Sequence, residues 1–482
     1  MTEVVQEKRN YTQYIHVVIM LSFILFGRYI PPIGAITPLG MQALGIFAGI
    51  VYGWSTLGMI FPSLIGILAF GFLGENTVVA TLSASFGDKL TVIMLTFLLV
   101  AALVDQVGLS EYIAKWCIGR KFAQGKPWVI AIMFCVAGAI ISATVNVFAS
   151  MILMWNVFYS FCEQVGFKKG DKYPTLVLTA ILYCCTMAGG IFPYMGLSLL
   201  VVGQLQSFLG LTINYLFFTL FQILLVVFCS AIYFLVLKYI FKPDVSLLLD
   251  NRKTKIDQEL APLTGHQKLV GGLIILLMLM LFLPGLLPDT IPVIGFFKAL
   301  NVAGVAVVVL SLYYILMLGH KEVITIDKLA KGLSWEMIFM FATVAPLSAA
   351  INNPDCGILT FVSESMTGIL GGMSPYLFMI VLFVISSVIT QFANNAVIMM
   401  VIGPIMFSAG AVIDANPLVM TVIASFVLNV AFMTPAASGP AAMAFSNQEW
   451  IGTKNAYLHG AIIFCINILA LVVGIPIAEM IF

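Results

Sequence analysis

Long apolar stretches recur along this chain, and each is about as long as a helix that crosses a lipid bilayer. A membrane-spanning helix needs roughly 17 to 25 mainly apolar residues. Of the 482 residues, 61% are hydrophobic and 9% are charged, whereas about a quarter of the residues in a soluble domain carry a charge. The sequence therefore predicts an all-α integral membrane protein that is surrounded by lipid. The eleven stretches predicted to cross the bilayer are 14–34, 38–54, 57–74, 91–108, 174–205, 212–241, 268–287, 297–319, 333–352, 415–445 and 457–482.

The positive charges orient these spans. Loops on the cytoplasmic side of a membrane protein are enriched in Lys and Arg. With a cytoplasmic N-terminus, only Arg28, Lys89 and Lys298 of the 22 Lys and Arg residues fall outside. This distribution predicts a multi-pass protein of the cell membrane whose C-terminus lies on the outer side. A net charge of +1 with no basic surface indicates that nucleic acid is not a partner.

Two further apolar blocks, 128–165 and 375–409, are too long for one helix and carry polar residues near their middles. Lys126 precedes the first block and Lys168 follows it, so both ends are predicted to be cytoplasmic. This block should form a re-entrant hairpin with its turn at 142–146. The second block has uncharged or acidic flanks, which predicts a hairpin that enters from the outer face. The interrupting residues are Ser142, Thr144 and Asn146 in the first block and Thr390, Gln391, Asn394 and Asn395 in the second.

The two halves of the chain repeat the same order of features. An odd number of crossings separates equivalent features, so the halves are predicted to be inverted in the membrane. Inverted repeats with broken helices are typical of secondary transporters. The matched landmarks are Gly108 with Gly357, Ser142 with Ala393 and Pro193 with Pro435. The predicted domains are a tail with the first helix (1–36), a first repeat (37–242) with hairpin 128–165, a cytoplasmic linker (243–266) and a second repeat (267–482) with hairpin 375–409.

Helix ends at membrane depth are suited to binding ions. The first helix of each hairpin ends in free carbonyl groups, which suit a cation, and the second begins with free N–H groups, which suit an anion. Two further helices are predicted to be interrupted by Gly and Pro, at 188–198 and 433–441. Because no Lys or Arg falls within the predicted core, a bound anion would have to be balanced by helix N-termini and cations. This favours cation coupling.

The polar residues at the tips also have a plainer explanation. Ser and Thr in membrane helices often donate to the preceding turn, and Asn can hold neighbouring helices together. Two polar tips at symmetry-related places favour a binding site over packing. A membrane-embedded enzyme would need a cluster of His, Asp or Glu facing one leaflet, which the sequence lacks. A passive channel would need a continuous polar lining in place of two separate tips.

Four segments resemble one transporter family. Residues 54–62 (WSTLGMIFP) look like a W-x-T-E-A-x-P segment, and 432–441 (FMTPAASGPA) look like F-M-L-P-x-A-T-P-P-N-A. Residues 141–144 (ISAT) and 392–396 (FANNA) fall where that family has two Ser-Asn-Thr hairpin tips. From about residue 41 onward the chain therefore resembles the divalent anion:sodium symporters of the ion-transporter superfamily, which carry dicarboxylates, citrate or sulfate.

The resemblance implies a homodimer that works by an elevator-type alternating-access mechanism. The substrate-binding residues that it implies are Ser142, Ala143, Thr144, Ala393, Asn394, Asn395, Ser438, Gly439 and Pro440. The sodium ligands that it implies are Ser142, Thr144, Gly196, Asn394 and Ser438. The chain departs from the family at three of these positions, with Ala143 for Asn, Ala393 for Ser and Asn395 for Thr. Ala143 offers no side-chain oxygen to a sodium ion.

These observations predict a secondary transporter of small organic anions, most simply di- or tricarboxylates, and not an enzyme. Sodium is the expected coupling ion, and no other cofactor is expected. Two alternatives stay open within transport: a sodium-independent carboxylate exchanger, and a carrier of another anion such as sulfate.

Overall fold

The computed structural model of the protein describes residues 11–119, 121–249, 261–288, 290–370 and 372–482. Regular structure within these ranges is entirely helical, which confirms the predicted all-α class. Parts of the predicted tail (1–10) and linker (250–260) lie outside them. The helices are α1 (Tyr11–Phe26), α2 (Pro38–Thr56), α3 (Ile60–Phe70), α4 (Val78–Phe86), α5 (Lys89–Gln106), α6 (Leu109–Ile118), α7 (Pro127–Thr144), α8 (Val147–Val165), α9 (Lys172–Ala188), α10 (Gly196–Leu209), α11 (Tyr215–Leu235), α12 (Gly265–Phe282), α13 (Pro292–Leu316), α14 (Ile326–Ala330), α15 (Trp335–Asn352), α16 (Ile358–Leu370), α17 (Pro375–Thr390), α18 (Asn395–Val412), α19 (Pro417–Val427), α20 (Gly439–Ser446) and α21 (Thr453–Ile481).

The outer face of α11 is apolar, as expected for a helix that is surrounded by lipid. On α11, the side chains of Leu220 and Val227 are 52% and 60% exposed, whereas Gln222 is 1% exposed. An apolar outer face with polar groups turned inward is the reverse of a water-soluble helix. The predicted multi-pass membrane protein is confirmed at this level.

Eight helices in the described part of the chain are long and apolar enough to cross a membrane, judged by length and composition. The predicted number of eleven crossings stays a prediction, since helices such as α9, α10 and α19 are each shorter than a bilayer is thick. The eight are Lys89–Gln106, Pro127–Thr144, Tyr215–Phe241, Gly265–Gly285, Pro292–Leu316, Trp335–Asn352, Asn395–Val412 and Thr453–Ile481.

The chain forms two compact units. The described residues of Met1–Val92 and Ser334–Gly371 make the first, and those of Ile93–Leu333 and Gly372–Phe482 make the second. In the first unit α1 lies against α2, and α15 packs on α3 and α4. In the second unit α7 and α8 pack on α9, while α18 packs on α10 and α19. The predicted repeats divide the chain by sequence symmetry and not by compactness, so their boundaries stay a prediction.

A buried glutamine replaces a backbone hydrogen bond that a proline removes from α18. Pro404 has no N–H to donate to the carbonyl of Met400 one turn earlier. The side chain of Gln204, on α10, donates from Nε2 to that carbonyl at 3.4 Å. Gly403 lets the two helices approach, because a Cβ there would lie 2.0 Å from Gln204 Oε1. This contact holds α10 against α18.

In α21 a tyrosine side chain likewise replaces a hydrogen bond that a proline removes. Pro476 leaves the carbonyl of Val472 without its helical donor, and the hydroxyl of Tyr376, on α17, donates to that carbonyl at 3.1 Å. Each helix of the pair α17 and α18 is therefore joined to a neighbour through a carbonyl that a proline has freed.

We expect Gly403→Ala to lower the thermal unfolding midpoint of the detergent-purified protein, because overpacking of a tight contact costs about 1–3 kcal/mol. Gly272→Ala is the matched control. It lies within α12, and an added Cβ meets no atom within 4 Å, so it should not lower the midpoint. Equal midpoints for the two variants would contradict the close packing of α10 on α18.

Candidate functional site

The tip of the first hairpin is a two-residue turn closed by an asparagine cap. Helix α7 ends at Thr144 and α8 begins at Val147. Asn146 Oδ1 accepts hydrogen bonds from the N–H groups of Phe148 at 2.7 Å and Ala149 at 3.4 Å. The cap satisfies two N–H groups that the start of a helix otherwise leaves without partners. The turn falls at the end of the predicted range 142–146.

The polar residues predicted at this tip bond to backbone carbonyl groups. Ser142 is buried and its Oγ donates to the carbonyl of Cys185 at 2.6 Å. Thr144 Oγ1 donates to the carbonyl of Ile140 at 2.8 Å. Each hydroxyl has used its hydrogen and keeps oxygen lone pairs that can serve a cation. Ala143 is buried beside them and contributes no polar side-chain atom.

The second tip, in which four residues connect α17 to α18, also has an asparagine cap. Asn394 caps α18, since its Oδ1 accepts a hydrogen bond from the N–H of Ala396 at 2.9 Å. Asn395 is buried, and its Nδ2 donates to the carbonyl of Asn429 at 3.2 Å. Ala393 is half-buried and supplies no polar side chain. Of the three predicted residues at this tip, the two asparagines therefore have polar side chains that make structural bonds.

Two of the three predicted landmark pairs have a similar local geometry, and the inverted repeat that they define stays a prediction. Gly108 and Gly357 both have a left-handed backbone, with φ of 70° and 68°, and each comes directly before an amphipathic helix. Pro193 and Pro435 both lie in the interrupted segments described below. The third pair, Ser142 with Ala393, has a different register. The caps instead match Asn146 with Asn394, since each begins the second helix of a hairpin.

Two serines close the interrupted helices. Between α9 and α10 the chain unwinds, and Ser198 Oγ donates to the carbonyl of Gly190 at 2.8 Å. Between α19 and α20 it unwinds again, and Ser438 Oγ donates to the carbonyl of Ala431 at 2.8 Å. Of the predicted sodium ligands in these segments, Gly196 begins α10 and Ser438 caps α20. The two breaks are thus stabilised by the same type of contact.

Gln391 attaches the second tip to the second break. Its Oε1 accepts hydrogen bonds from the N–H groups of Phe432 and Met433, each at 3.0 Å. Its own carbonyl accepts a hydrogen bond from the hydroxyl of Thr434. In the sequence, Gln391 stands out only as an interruption of an apolar block, because its partners lie far away along the chain.

The first tip touches both breaks. A Cβ added to Gly189 would lie 2.4 Å from Val147, the first residue of α8. One added to Gly439 would lie 2.4 Å from the ring of Phe148. The predicted residues Gly439 and Pro440 therefore open α20 directly beside the first hairpin.

Asn429 joins the second tip to the first break. Its carbonyl accepts the hydrogen bond from Asn395, and its Nδ2 lies 2.1 Å from the place that a Cβ on Gly190 would occupy. Sequence reasoning missed Asn429, which lies within a long apolar stretch with no local signal. The two tips and the two breaks, which together we call the junction, thus meet within the second unit. The residues predicted for binding there are all uncharged.

A family model described as "Citrate transporter" (CitMHS) matches residues 46–425. The chain belongs to the citrate transporter family. Membership of this family confirms that the protein is a membrane transporter and not an enzyme.

Relatives with assigned names point to the same superfamily. A protein of Staphylococcus saprophyticus named "Sodium-dependent dicarboxylate transporter SdcS" is 22% identical over 408 residues, which cover 81% of this chain and 76% of that protein. Its namesake in Staphylococcus aureus strain USA300 is 23% identical over 474 residues, which cover 91% and 88%. These relatives confirm the resemblance to sodium-dependent transporters of divalent anions.

Two solved structures share the fold. The MtrF protein of Neisseria gonorrhoeae, described among antimetabolite efflux pumps, aligns with a TM-score of 0.61 and 14% identity over 96% of this chain and 94% of that chain. The YdaH transporter of Alcanivorax borkumensis aligns with a TM-score of 0.56 and 12% identity, over 83% and 87%. At these sequence identities the likeness establishes the fold of this chain and does not identify its substrate.

Proposed function

We propose that this protein carries a di- or tricarboxylate across the cell membrane together with sodium ions. The observation that carries the proposal is the junction, where two hairpin tips and two interrupted helices meet and supply helix ends and short polar side chains without a cationic side chain. The family and the names of the relatives support a carboxylate as the substrate.

Each side of the junction has a chemical role in this proposal. The capped N-termini of α8 and α18 present the positive ends of their helix dipoles to the carboxylates of the substrate. Oxygen atoms complete the sodium sites, because a small hard cation prefers oxygen ligands. These oxygens come from the predicted set Ser142, Thr144, Gly196, Asn394 and Ser438. Ala143, Ala393, Asn395, Gly439 and Pro440 complete the predicted wall around the substrate.

The proposed mechanism is alternating access in a homodimer by an elevator motion. We propose eleven crossings, two re-entrant hairpins and an inverted repeat, with the N-terminus in the cytoplasm. The asparagine caps of the two hairpins and the serine contacts across the two breaks support the repeat. In this topology the hairpins enter from opposite faces, so that the junction lies near the middle of the bilayer.

Sodium-independent exchange is the second candidate, and Ala143 favours it. A residue without a side-chain oxygen stands where the related family has Asn, which reduces the number of ligands that the first tip can offer to sodium. The acceptors that remain there are the oxygens of Ser142 and Thr144 and the backbone carbonyl groups.

Proteoliposomes distinguish the two candidates. We expect uptake of radiolabelled citrate or succinate to require an inward sodium gradient and to fall to the level of empty liposomes when choline replaces sodium. Preloaded vesicles in sodium-free buffer test exchange. Rapid counterflow there, with no stimulation by a sodium gradient, would refute sodium coupling. Transport of sulfate in place of both acids would refute the carboxylate assignment.

A further inference from the structure

Two buried amide groups in the junction are only half satisfied. Asn395 is 5% exposed and Asn429 is 9% exposed. Among the described residues, Asn395 Oδ1 and Asn429 Nδ2 find no hydrogen-bond partner. Leaving a buried amide group without a partner costs about 1–3 kcal/mol, so two such groups in adjoining residues call for a ligand.

The remaining contacts of Asn395 and Asn429 fix the orientation of both amide groups. Asn395 Nδ2 donates to the carbonyl of Asn429 at 3.2 Å, which fixes the orientation of the Asn395 amide. The Oδ1 atom of this amide is then left without a donor among the described residues. Asn429 Nδ2 lies against Gly190, where a side chain would collide with it. Glycine at this place keeps the amide of Asn429 in position beside the first break.

The two unsatisfied atoms have complementary chemistry. An amide N–H₂ group donates to a carboxylate, and an amide oxygen is a ligand for a small cation. An anion with its own counter-ion would therefore satisfy both atoms at once, which neither ion could do alone.

We propose that Asn429 is a further substrate-binding residue, whose Nδ2 donates to a carboxylate oxygen while Asn395 Oδ1 ligates the sodium ion that accompanies it. This inference rests on the proposed function. It adds to the predicted set a residue outside both hairpins, and it gives Asn395 a role toward the cation. It also explains how binding of sodium and of substrate would be coupled, since each ion fills one atom of a hydrogen-bonded pair.

Binding measurements on the purified full chain test the inference. Thermal-shift titrations with citrate and succinate, in sodium chloride and in choline chloride, give the apparent Kd of the substrate and the half-saturating sodium concentration. Asn429→Asp keeps the size of the side chain but replaces the donor with a negative charge. We expect it to raise the apparent Kd at least tenfold. Asn395→Ala should raise the half-saturating sodium concentration at least tenfold.

Asn467→Asp is the matched control. Asn467 is also buried, its Nδ2 has no hydrogen-bond partner in the described part of the chain, and its Oδ1 accepts a hydrogen bond from Tyr183 at 2.9 Å. It lies on α21, outside the two tips and the two breaks. Aspartate keeps that acceptor, so its apparent Kd should stay within twofold of wild type. If Asn429→Asp changes the unfolding midpoint without ligand but leaves the apparent Kd unchanged, as we expect for Asn467→Asp, the amides hold a structural water only and the inference is wrong.

A second variant covers the case in which Asn429→Asp does not fold. Gly190→Ala leaves Asn429 in the chain but displaces its amide, and we expect the same tenfold loss of substrate affinity. Unchanged affinity in Gly190→Ala would overturn the inference on its own. If the wild-type protein binds neither citrate nor succinate in either salt, the proposed function itself fails, and the inference fails with it.

Discussion

Asn394→Ala should yield a folded, membrane-inserted protein with no measurable substrate uptake. The variant removes the cap of α18, which costs about 0.5–2 kcal/mol of stability, and it also removes a predicted ligand for both sodium and substrate. The stability cost alone leaves the protein folded. Uptake of labelled citrate or succinate into proteoliposomes, normalised to the amount of protein inserted, measures the effect.

A second asparagine cap provides the control for this experiment. Asn416 Oδ1 caps α19 by accepting hydrogen bonds from Leu418 at 3.0 Å and Val419 at 3.5 Å. Asn416→Ala therefore loses a cap of the same type at a helix start outside the junction. We expect it to transport within about twofold of wild type while its unfolding midpoint falls as far as that of Asn394→Ala. Wild-type uptake by Asn394→Ala would refute the assignment of the second tip as a binding element.

Gln391→Leu should abolish transport and lower the unfolding midpoint more than any cap variant. Gln391 is 2% exposed, and its Oε1 is the acceptor for two N–H groups of the unwound chain after α19. Leucine would leave both of them buried without a partner, and each such loss costs about 1–3 kcal/mol. The break would rearrange, because its backbone has no helical partner to replace the side chain.

Gln222→Leu separates this effect from the loss of any buried glutamine. Gln222 is 1% exposed and donates from Nε2 to the carbonyl of Val422 at 2.8 Å. Its removal takes one donor from the Val422 carbonyl, which lies within α19, and leaves no backbone N–H group without an acceptor. We expect transport to persist in this variant, with a smaller drop in midpoint. Loss of transport in both variants, with similar midpoints, would indicate general damage and contradict a special role for Gln391.

The sequence predicted the helix pairs and the breaks because their signals are local. A polar run in the middle of a long apolar block marks a turn, and the turn at 145–146 falls inside the predicted range 142–146. Gly189 and Gly190 mark where α9 ends, whereas α19 already ends at Val427, before the predicted interruption at 433–441. These features depend on residues within a few positions of each other, so that propensity and spacing suffice to find them.

The partners of the polar side chains could not be predicted in the same way. Ser142 bonds to Cys185, and Gln391 holds Phe432 and Met433, so each contact depends on tertiary packing. Asn429 carries no local signal at all. Matching the halves by sequence paired Ser142 with Ala393, whereas cap geometry pairs the two asparagines, because a cap is defined by hydrogen bonds and not by residue spacing.

Labelling of introduced cysteines from one face of the membrane tests the central claim most directly. Cys465 is the exposed native cysteine, so it is first replaced by alanine. Single cysteines are then introduced at four exposed positions. Lys126 and Lys168 flank the first hairpin, and Ser374 and Asp414 flank the second. Each is treated with a membrane-impermeant maleimide in intact cells and in inverted vesicles. We expect the cysteines at positions 126 and 168 to react only in inverted vesicles, and those at positions 374 and 414 only in intact cells. Reaction of positions 126 and 168 from opposite faces would show that the first block crosses the bilayer, and no junction of two re-entrant tips would then exist.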